Sequence, residues 1–540
     1  MNGKRKKQII HRFPWGQKEN AQVLIVHLGS KSTPLIAQAL REIGLTARII
    51  LLKDLAETLD AFFWNLVILA GSHKSVYESN APHIPRPLIE QNTDRGTVFL
   101  GICYGGQEMV YQFGGTVAPA PFTEVGVADL ILKQPWDGFM SGPFVMNHGD
   151  DIVVPPEGWE RLGHTAQSAN ALLIDKSRRL ITILGHPEMD DSVGGLKFFK
   201  LVAYRFARCT RDYTFDPERF VEEACAFIQK HVGSRSAIAG VSGGVDSSVA
   251  LRLAQRALGT HRVQGVFVDT GFMRDGEMKE VRALLGTQGI RYVNARKKFY
   301  HAVEAIPYDP RREARYYDEI RKVMGECFID VFVENVREYP NITHLVQGTN
   351  QADVIESETG LKRHHNVGGL PAWLKLVLVE PLAGLFKNEI RQIAQYLGLP
   401  QEIVWRQPFP GPGDALRSWG PMTAEKARFL GRANLILEEI VRKHYPDPHD
   451  RPNQYYISLA PLTTRGHVGD KGVNGYPVVV RAVASRERET YITMHPFSWS
   501  DEAKKEVTWR FTNELRFERK PIVRTWFDET GKPPATVEMH

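Results

Sequence analysis

The sequence predicts an α/β protein built from two parallel-sheet units, the second doubly wound, with a smaller α+β unit at the C-terminal end. Three observations predict it. Short apolar runs alternate with amphipathic stretches from Gln22 to about Ile390, the pattern of parallel sheets with helices on both faces. Two of the runs, Val98–Ile102 and Ala237–Val241, stop in glycine-rich turns that open directly into helical patterns. After Pro412 the alternation ends, and a long helical stretch is followed by period-two strand sequence.

A chain of 540 residues has room for about three domains. Its 43% hydrophobic and 24% charged residues are those of an ordinary soluble globular protein. A net charge of +6 is a small excess for this length; it suits anionic small ligands and argues only weakly for nucleic acid, so no nucleic-acid partner is expected. No apolar run approaches the ~18 residues that span a bilayer, so no membrane association is expected. Cys103, Cys209, Cys225 and Cys327 are scattered without a CxxC pair, which implies a reducing, cytoplasmic setting. Residues 1–20 read as a basic tail, because Met1–Lys7 carries charge without the apolar segment of a secretory signal.

The first unit begins with Val23–Leu28 as a strand and Pro34–Ile43 as a helix stopped by Gly44. Leu66–Ala70 and Val98–Ile102 are further buried strands. The second of these runs into Gly101-Ile102-Cys103-Tyr104-Gly105-Gly106-Gln107, with helical sequence after it. Such an elbow lifts its middle side chain above the sheet edge. The helix start lowers a thiol pKa and offers N–H groups to an oxyanion. A lone buried cysteine is normally inert; the glycines around Cys103 make it a nucleophile. A nucleophile needs a base, and the base an orienter. Ile181–Glu188 supplies both as a strand ending in His186-Pro187-Glu188. Residues two apart share a face there, and Pro187 stiffens the link.

Arg208–Pro217 reads as a linker and Phe220–His231 as a helix. Then come the strand Ala237–Val241, the turn Ser242-Gly243-Gly244, and a helix opening Val245-Asp246-Ser247-Ser248. Glycines let the backbone close on a ligand, and the free N–H groups and dipole of a helix start favour phosphate. Ser242, Ser247 and Ser248 add hydroxyl donors. The Lys-Ser/Thr pair of a Walker A loop is missing. Val263–Val268 is the next strand. Ligands sit beyond strand C-termini in open sheets, which puts Val268 and Asp269 near a nucleoside. Leu345–Thr349 is a third strand. Lys362-Arg363-His364-His365 opens a basic, glycine-rich stretch suited to a mobile lid that neutralises phosphate charge. Adjacent histidines without spaced partners make a poor metal site. Lys387, at a helix start, is placed to reach a phosphate. Thr423–Lys443 reads as a helix and Tyr476–Val483 as a strand.

The Ser242–Ser248 pattern resembles the pyrophosphatase loop of the ATP-pyrophosphatase family, which cleaves ATP to AMP and pyrophosphate. The elbow Gly101–Gln107 and Gly185-His186-Pro187-Glu188 together resemble the class I glutamine amidotransferase domain, over residues 21–205. Val346–Thr349, Asp353–Ser357, His364–Pro371 and Phe409–Gly413, in that order behind a glutaminase, resemble the GMP synthetase family across nearly the whole chain. That resemblance implies an ATP-pyrophosphatase unit over 211–413 and a dimerisation and acceptor-binding unit over 414–540. It implies a glutamine thioester at Cys103, with His186 as general base and then acid and Glu188 as its orienter. The oxyanion hole would come from the N–H groups of Tyr104 and Ser72. ATP with Mg²⁺ would be the cofactor, and Asp246 is the nearest carboxylate for the cation. XMP would be the acceptor, its phosphate gripped by Arg524 and Lys532, with Glu538 ordering the same pocket. A homodimer follows. The implied reaction adenylates XMP and aminates it to GMP, releasing AMP, pyrophosphate and glutamate.

The chain departs from the family pattern at several positions. Ala70-Gly71-Ser72-His73 stands for Ser-Gly-Gly-Pro, and His27–Lys31 for Asp-Phe-Gly-Ser-Gln. Thr123–Gly126 stands for Arg-Glu-Tyr-Gly, and Asn147–Asp150 for Ser-His-Gly-Asp. On the acceptor side Gln407 replaces His, Asp414 replaces Leu, Thr463 replaces Arg, and Asn388 replaces Asp. They leave two alternatives: the same amidation on another purine-like nucleotide, or a non-catalytic binding or regulatory protein.

Overall fold

The computed structural model describes residues 9–16, 21–339, 341–358, 376–409, 411–485, 494–532 and 535–539. Met1–Lys7 and the lid residues Lys362, His364 and His365 lie outside the described residues. Among the described residues the strands form three sheets.

The first sheet has nine strands. Its parallel part runs Ala47–Leu51, Val23–His27, Leu66–Leu69, Val98–Ile102, Leu180–Ile183. Alternate residues of these strands enter two different apolar layers: Ile25, Ile68 and Leu100 one, Val26, Val67 and Phe99 the other. A sheet covered on both faces has this signature, which is why the strands read as unbroken apolar runs. The sheet continues antiparallel through Leu172–Asp175, Glu160–His164, Thr116–Leu132 and Gly142–Val154. That extension was not foreseen. The two long strands alternate buried and exposed residues, so they lack the apolar runs that marked the others.

The second sheet is parallel throughout. Its order is Ile10–Arg12, Val377–Glu380, Ile342–Val346, Ser236–Val241, Val263–Asp269, Ile290–Asn294. From Ser236–Val241 the chain builds outward to one side, then returns to lay Ile342–Val346 on the other. The turn Ser242–Gly244 therefore sits at the topological switch point, where open sheets bind ligands. Helix Pro217–Val232 covers one face. Asp216 accepts from Glu218 N at 3.0 Å and Arg219 N at 3.3 Å, Pro217 occupies the first helical position, and Gly233 ends the helix at φ +61°.

The stretch after residue 9 is a correction to the expected tail. Ile10–Arg12 is an edge strand on Val377–Glu380, and Arg12 Nε donates to Glu380 Oε2 at 2.8 Å. Phe13 and Trp15 are buried, with ring centroids 5.5 Å and 5.2 Å from that of Phe220. A strand so short, flanked by basic residues, is below what periodicity resolves.

The third sheet runs Gln454–Leu459, Lys471–Ala484, Lys520–Asp528, Arg516–Phe517. Thr464–Val468 and His495–Pro496 also pair with Lys471–Ala484. The helices Ala424–His444, capped by Thr423, and Asp501–Glu514, capped by Ser500, accompany it. One apolar cluster contains Ile238, Val266 and Phe299 of the second unit together with Ile436, Ile457 and Ile522 of the third. The two units thus share a core.

Removing the Phe13 ring should destabilise the second sheet at its edge. Phe13→Ala is expected to cost about 3 kcal/mol, read as a lower denaturant midpoint with an unchanged slope.

Candidate active site

Cys103 sits between a strand that ends at Ile102 and a helix that starts at Tyr104. Its φ of +52° is the left-handed region that non-glycine residues avoid. The strain is held by the neighbours. Cys103 N donates to Ile183 O at 2.8 Å. A Cβ on Gly105 would lie 2.2 Å from Leu69 O, and one on Gly101 would lie 2.5 Å from Gly105 O. The elbow closes only because both positions are glycine.

The structure brings the three predicted glutaminase side chains together. Cys103, His186 and Glu188 are all buried. His186 Nδ1 is 2.9 Å from Glu188 Oε1, which leaves the far ring nitrogen for the Cys103 thiol. Burial pushes the thiol upward, but the nearby His186 charge, the His148 charge and the Tyr104 N–H together bring it below its ordinary value. Burial likewise works against a charged His186, yet Glu188 and the thiolate hold its pKa well above the usual range. Both shifts favour the charged forms, thiolate at Cys103 and imidazolium at His186. Gly71, before Ser72, faces this pair: a Cβ there would stand 3.8 Å from His186 Cε1. Ser72 Oγ accepts from Lys74 N at 3.3 Å, so its side chain is used locally.

A second histidine–carboxylate pair lies beside the thiol. Glu124 and His148 oppose one another in the strand register, with Oε2 and Nε2 3.2 Å apart. Asn147 O, one residue away, is 3.8 Å from Cys103 Sγ. Both residues stand in motifs quoted above, but sequence alone did not pair them. Only the register does, and a register across a long hairpin leaves no local signal.

At the second site Gly243 turns at φ +82°. Ser242 N donates to Ser247 Oγ at 3.1 Å, Gly244 N to Ser242 Oγ at 3.2 Å, and Ser248 Oγ to Gly244 O at 2.8 Å. The serines thus brace the turn as well as lining it. Val245 begins the helix, so its first N–H groups face the turn. Gly348 packs on that start, where a Cβ would be 2.8 Å from Asp246 O. Val268 is buried at the end of the neighbouring strand, and Asp269 accepts from Gly271 N and Arg296 Nε, both at 2.9 Å. Two residues proposed separately meet here: Lys387 Nζ donates to Asp246 Oδ2 at 2.8 Å. No donor among the described residues reaches the buried Asp246 Oδ1. Among the described residues no three His, Cys, Asp or Glu side chains gather into a metal cage. One carboxylate oxygen left over at the turn fits a cation that arrives on phosphate oxygens.

A cavity of about 480 Å³ opens where the second and third units meet, lined by Arg274, Arg406, Gln407, Arg442, Asn453 and Tyr455. Arg406 reaches from it to the phosphate turn. It pairs with Glu277, while Nη1 is buried without an acceptor among the described residues and lies 3.3 Å from where a Gly243 Cβ would be. Arg524 is exposed mid-strand, whereas Lys532 and Glu538 are half-buried near the C-terminal end. Tyr456, next to Tyr455, donates to Val537 O at 2.6 Å, and Arg481 Nη2 donates to Thr536 O at 2.8 Å. These bonds tie the C-terminal segment of Glu538 to the face of the strand opposite Tyr455. The family departures mostly serve local structure. Gln407 Oε1 accepts from Tyr455 N at 3.0 Å, and Asn388 Oδ1 accepts from Glu389 N at 3.0 Å. Asp414 is wholly buried beside Arg417, and burial raises its pKa to about 6.

Three sequence profiles match the chain: glutamine amidotransferase class-I over residues 24–205, NAD synthase over 220–323, and GMP synthase C terminal domain over 442–539. A GMP synthase (glutamine-hydrolyzing) of Synechococcus sp. is 37% identical, over 96% of this chain and 96% of its own. That of Trichormus variabilis is 36% identical, over 98% and 97%. A solved glutamine amidotransferase of Thermotoga maritima covers 36% of this chain and 88% of its own at 16% identity, with a TM-score of 0.27, too low for anything to rest on it.

The thiolate exists above the thiol pKa, so a lowered pKa keeps Cys103 reactive below the pH at which a free thiol ionises. Iodoacetamide should therefore alkylate Cys103 rapidly at neutral pH. His186→Ala removes the counter-charge and leaves burial, so the profile should move to higher pH and the rate at pH 7 should fall about tenfold or more.

Proposed function

The chain belongs to the family of glutamine-hydrolysing GMP synthases, and on that footing we propose how its residues divide the reaction. The activity is glutamine-dependent formation of GMP, the work of a carbon–nitrogen ligase with glutamine as amido donor. The observation that carries the residue assignments is the joining, in one chain, of a buried Cys–His–Glu set to a phosphate-cradling turn at a sheet's switch point.

The Cys103 thiolate attacks the amide carbon of glutamine. The oxyanion forms against the N–H groups of Tyr104 and Ser72. His186, charged at the outset, gives its proton to the leaving nitrogen, and ammonia departs. Water then cleaves the thioester with His186 as base, and Glu188 holds the ring through both steps.

At the second site the adenine lies beside Val268, with the phosphates over Ser242–Ser248. The helix start, the serine hydroxyls and Lys387 stabilise charge on departing pyrophosphate. Asp246 would hold a Mg²⁺ arriving with ATP, a group that would supply neutralisation of phosphate charge. The ring carbonyl oxygen of XMP attacks the α-phosphorus and pyrophosphate leaves. Ammonia then displaces AMP, which carries the acceptor's oxygen away. The acceptor has to reach the α-phosphate, and the arginine-lined cavity beside Gly243 meets that demand. Arg524 and Lys532 grip its phosphate and Glu538 orders the same pocket, while Lys362, His364 and His365, which lie outside the described residues, are assigned to neutralising phosphate charge on ATP. We infer a homodimer working in the cytoplasm. No helix among the described residues is long and apolar enough to cross a membrane, and all four cysteines are free thiols.

Cys103→Ala should abolish synthesis from glutamine and leave synthesis from ammonium salt; joint loss of both would overturn the two-site division. Asp246→Ala should stop AMP release while glutaminase turnover continues, and undiminished AMP would remove Asp246 from the ATP site. With XMP labelled at the ring oxygen, the label should appear in AMP.

A further inference from the structure

The loop bearing His186 and Glu188 continues into Asp191, which reaches out of its own sheet. Asp191 Oδ2 stands 2.5 Å from His495 Nε2 of the third unit. The carboxylate side chain is 3% exposed and the imidazole 48%. On the glutaminase side, Ser192 follows directly. Its hydroxyl donates to His186 O at 2.6 Å and accepts from Val145 N at 2.9 Å, while His186 N donates to Val145 O at 2.8 Å. There is no slack in this loop: a Cβ on Gly195 would lie 1.9 Å from Pro187 O. Asp191 is thus joined to His186 through its neighbour Ser192 and the Val145 backbone. On the other side, Met494 and Lys532 exchange backbone hydrogen bonds of 2.8 Å and 2.7 Å, and His495 follows Met494. The bonded path therefore runs from the acceptor lysine to the catalytic histidine.

We propose that Asp191 is a positioning residue for the glutaminase, tied through His495 to the acceptor segment so that a nucleotide monophosphate at Lys532 sets His186 for catalysis. The inference rests on the assignment of Lys532 to the acceptor phosphate. A dianionic phosphate drawn to Lys532 shifts the Lys532–Met494 bridge, and the His495 imidazole moves with it. Asp191, buried, follows its counter-charge, because a buried carboxylate parted from its partner is costly. Such a path couples two sites only if its geometry differs between the free and occupied acceptor states.

The test is glutaminase turnover of the full chain, with and without XMP plus ATP, in the parent, Asp191→Asn, His495→Gln and the double variant. The parent should be stimulated about fivefold or more. Each single variant should bring that ratio close to one, and the double should lose no more than either alone. Asp191→Asn should keep ammonia-driven GMP formation at the parent's rate. Stimulation retained in both singles overturns the proposal. So does an unstimulated parent, or an equal loss of turnover with and without acceptor, which marks a merely structural role. A Lys532→Ala variant with an unchanged KM for XMP in ammonia-driven synthesis fails the reading of Lys532 itself, a result separate from any change in ratio.

Discussion

Both reaction centres depend on one constraint: a parallel strand must break into a helix where a Cβ has no room. At the first, Leu69 O and the Gly105 backbone approach so closely that side chains are excluded on both flanks of Cys103. At the second, Gly348 plays the same part against Asp246. Close approach turns the first N–H groups of a helix toward one point above the sheet edge. The group proposed to bind differs, an oxyanion in one case and a phosphate in the other, but the device is the same. Backbone strain of about 1–3 kcal/mol at the φ +52° of Cys103 is the kind of cost that surrounding structure over-determines.

The two centres are mechanically joined at a second place. Arg41, on the first glutaminase helix, donates to Gly384 O at 2.6 Å and to Glu389 Oε2 at 3.0 Å. The same Glu389 oxygen accepts from Phe386 N at 2.8 Å, capping the helix that begins with Lys387. Phe386 itself packs in the glutaminase core, and Trp15 O comes so near Gly384 that a Cβ would be 2.4 Å away. The N-terminal strand, the glutaminase and the Lys387 helix thus converge on one short turn. This contact lies at the C-terminal end of the Arg41 helix, far from the elbow, whereas Asp191 and His495 meet beside the catalytic loop. The glutaminase is held at both ends, which suits a part whose small displacements matter.

Much of the fold was legible in the sequence because buried parallel strands are apolar without interruption. The Cys103 elbow, His186-Pro187-Glu188 and the Ser242–Ser248 turn were legible for a related reason. Each is local: the residues that act are neighbours in the chain, and the glycines that shape the turn lie among them. What escaped was of three kinds. The Ile10–Arg12 edge strand is too short for a period. The Glu124–His148 pair depends on a hairpin register. Asp414 replaces an apolar family residue at a buried place, and its surroundings come from Arg417 and the distant Asn434.

By itself the sequence determined three local pieces of chemistry, the Cys103 elbow, His186-Pro187-Glu188 and the Ser242–Ser248 turn, because each is contiguous and its geometry follows from glycine, proline and strand alternation. Tertiary structure alone decided how those chemistries meet. Lys387 with Asp246, Arg406 with Gly243 and Asp191 with His495 are partners separated by long stretches of chain. Their pairing is set by sheet order and shared core, and packing of that kind leaves no mark on the residues nearby in sequence.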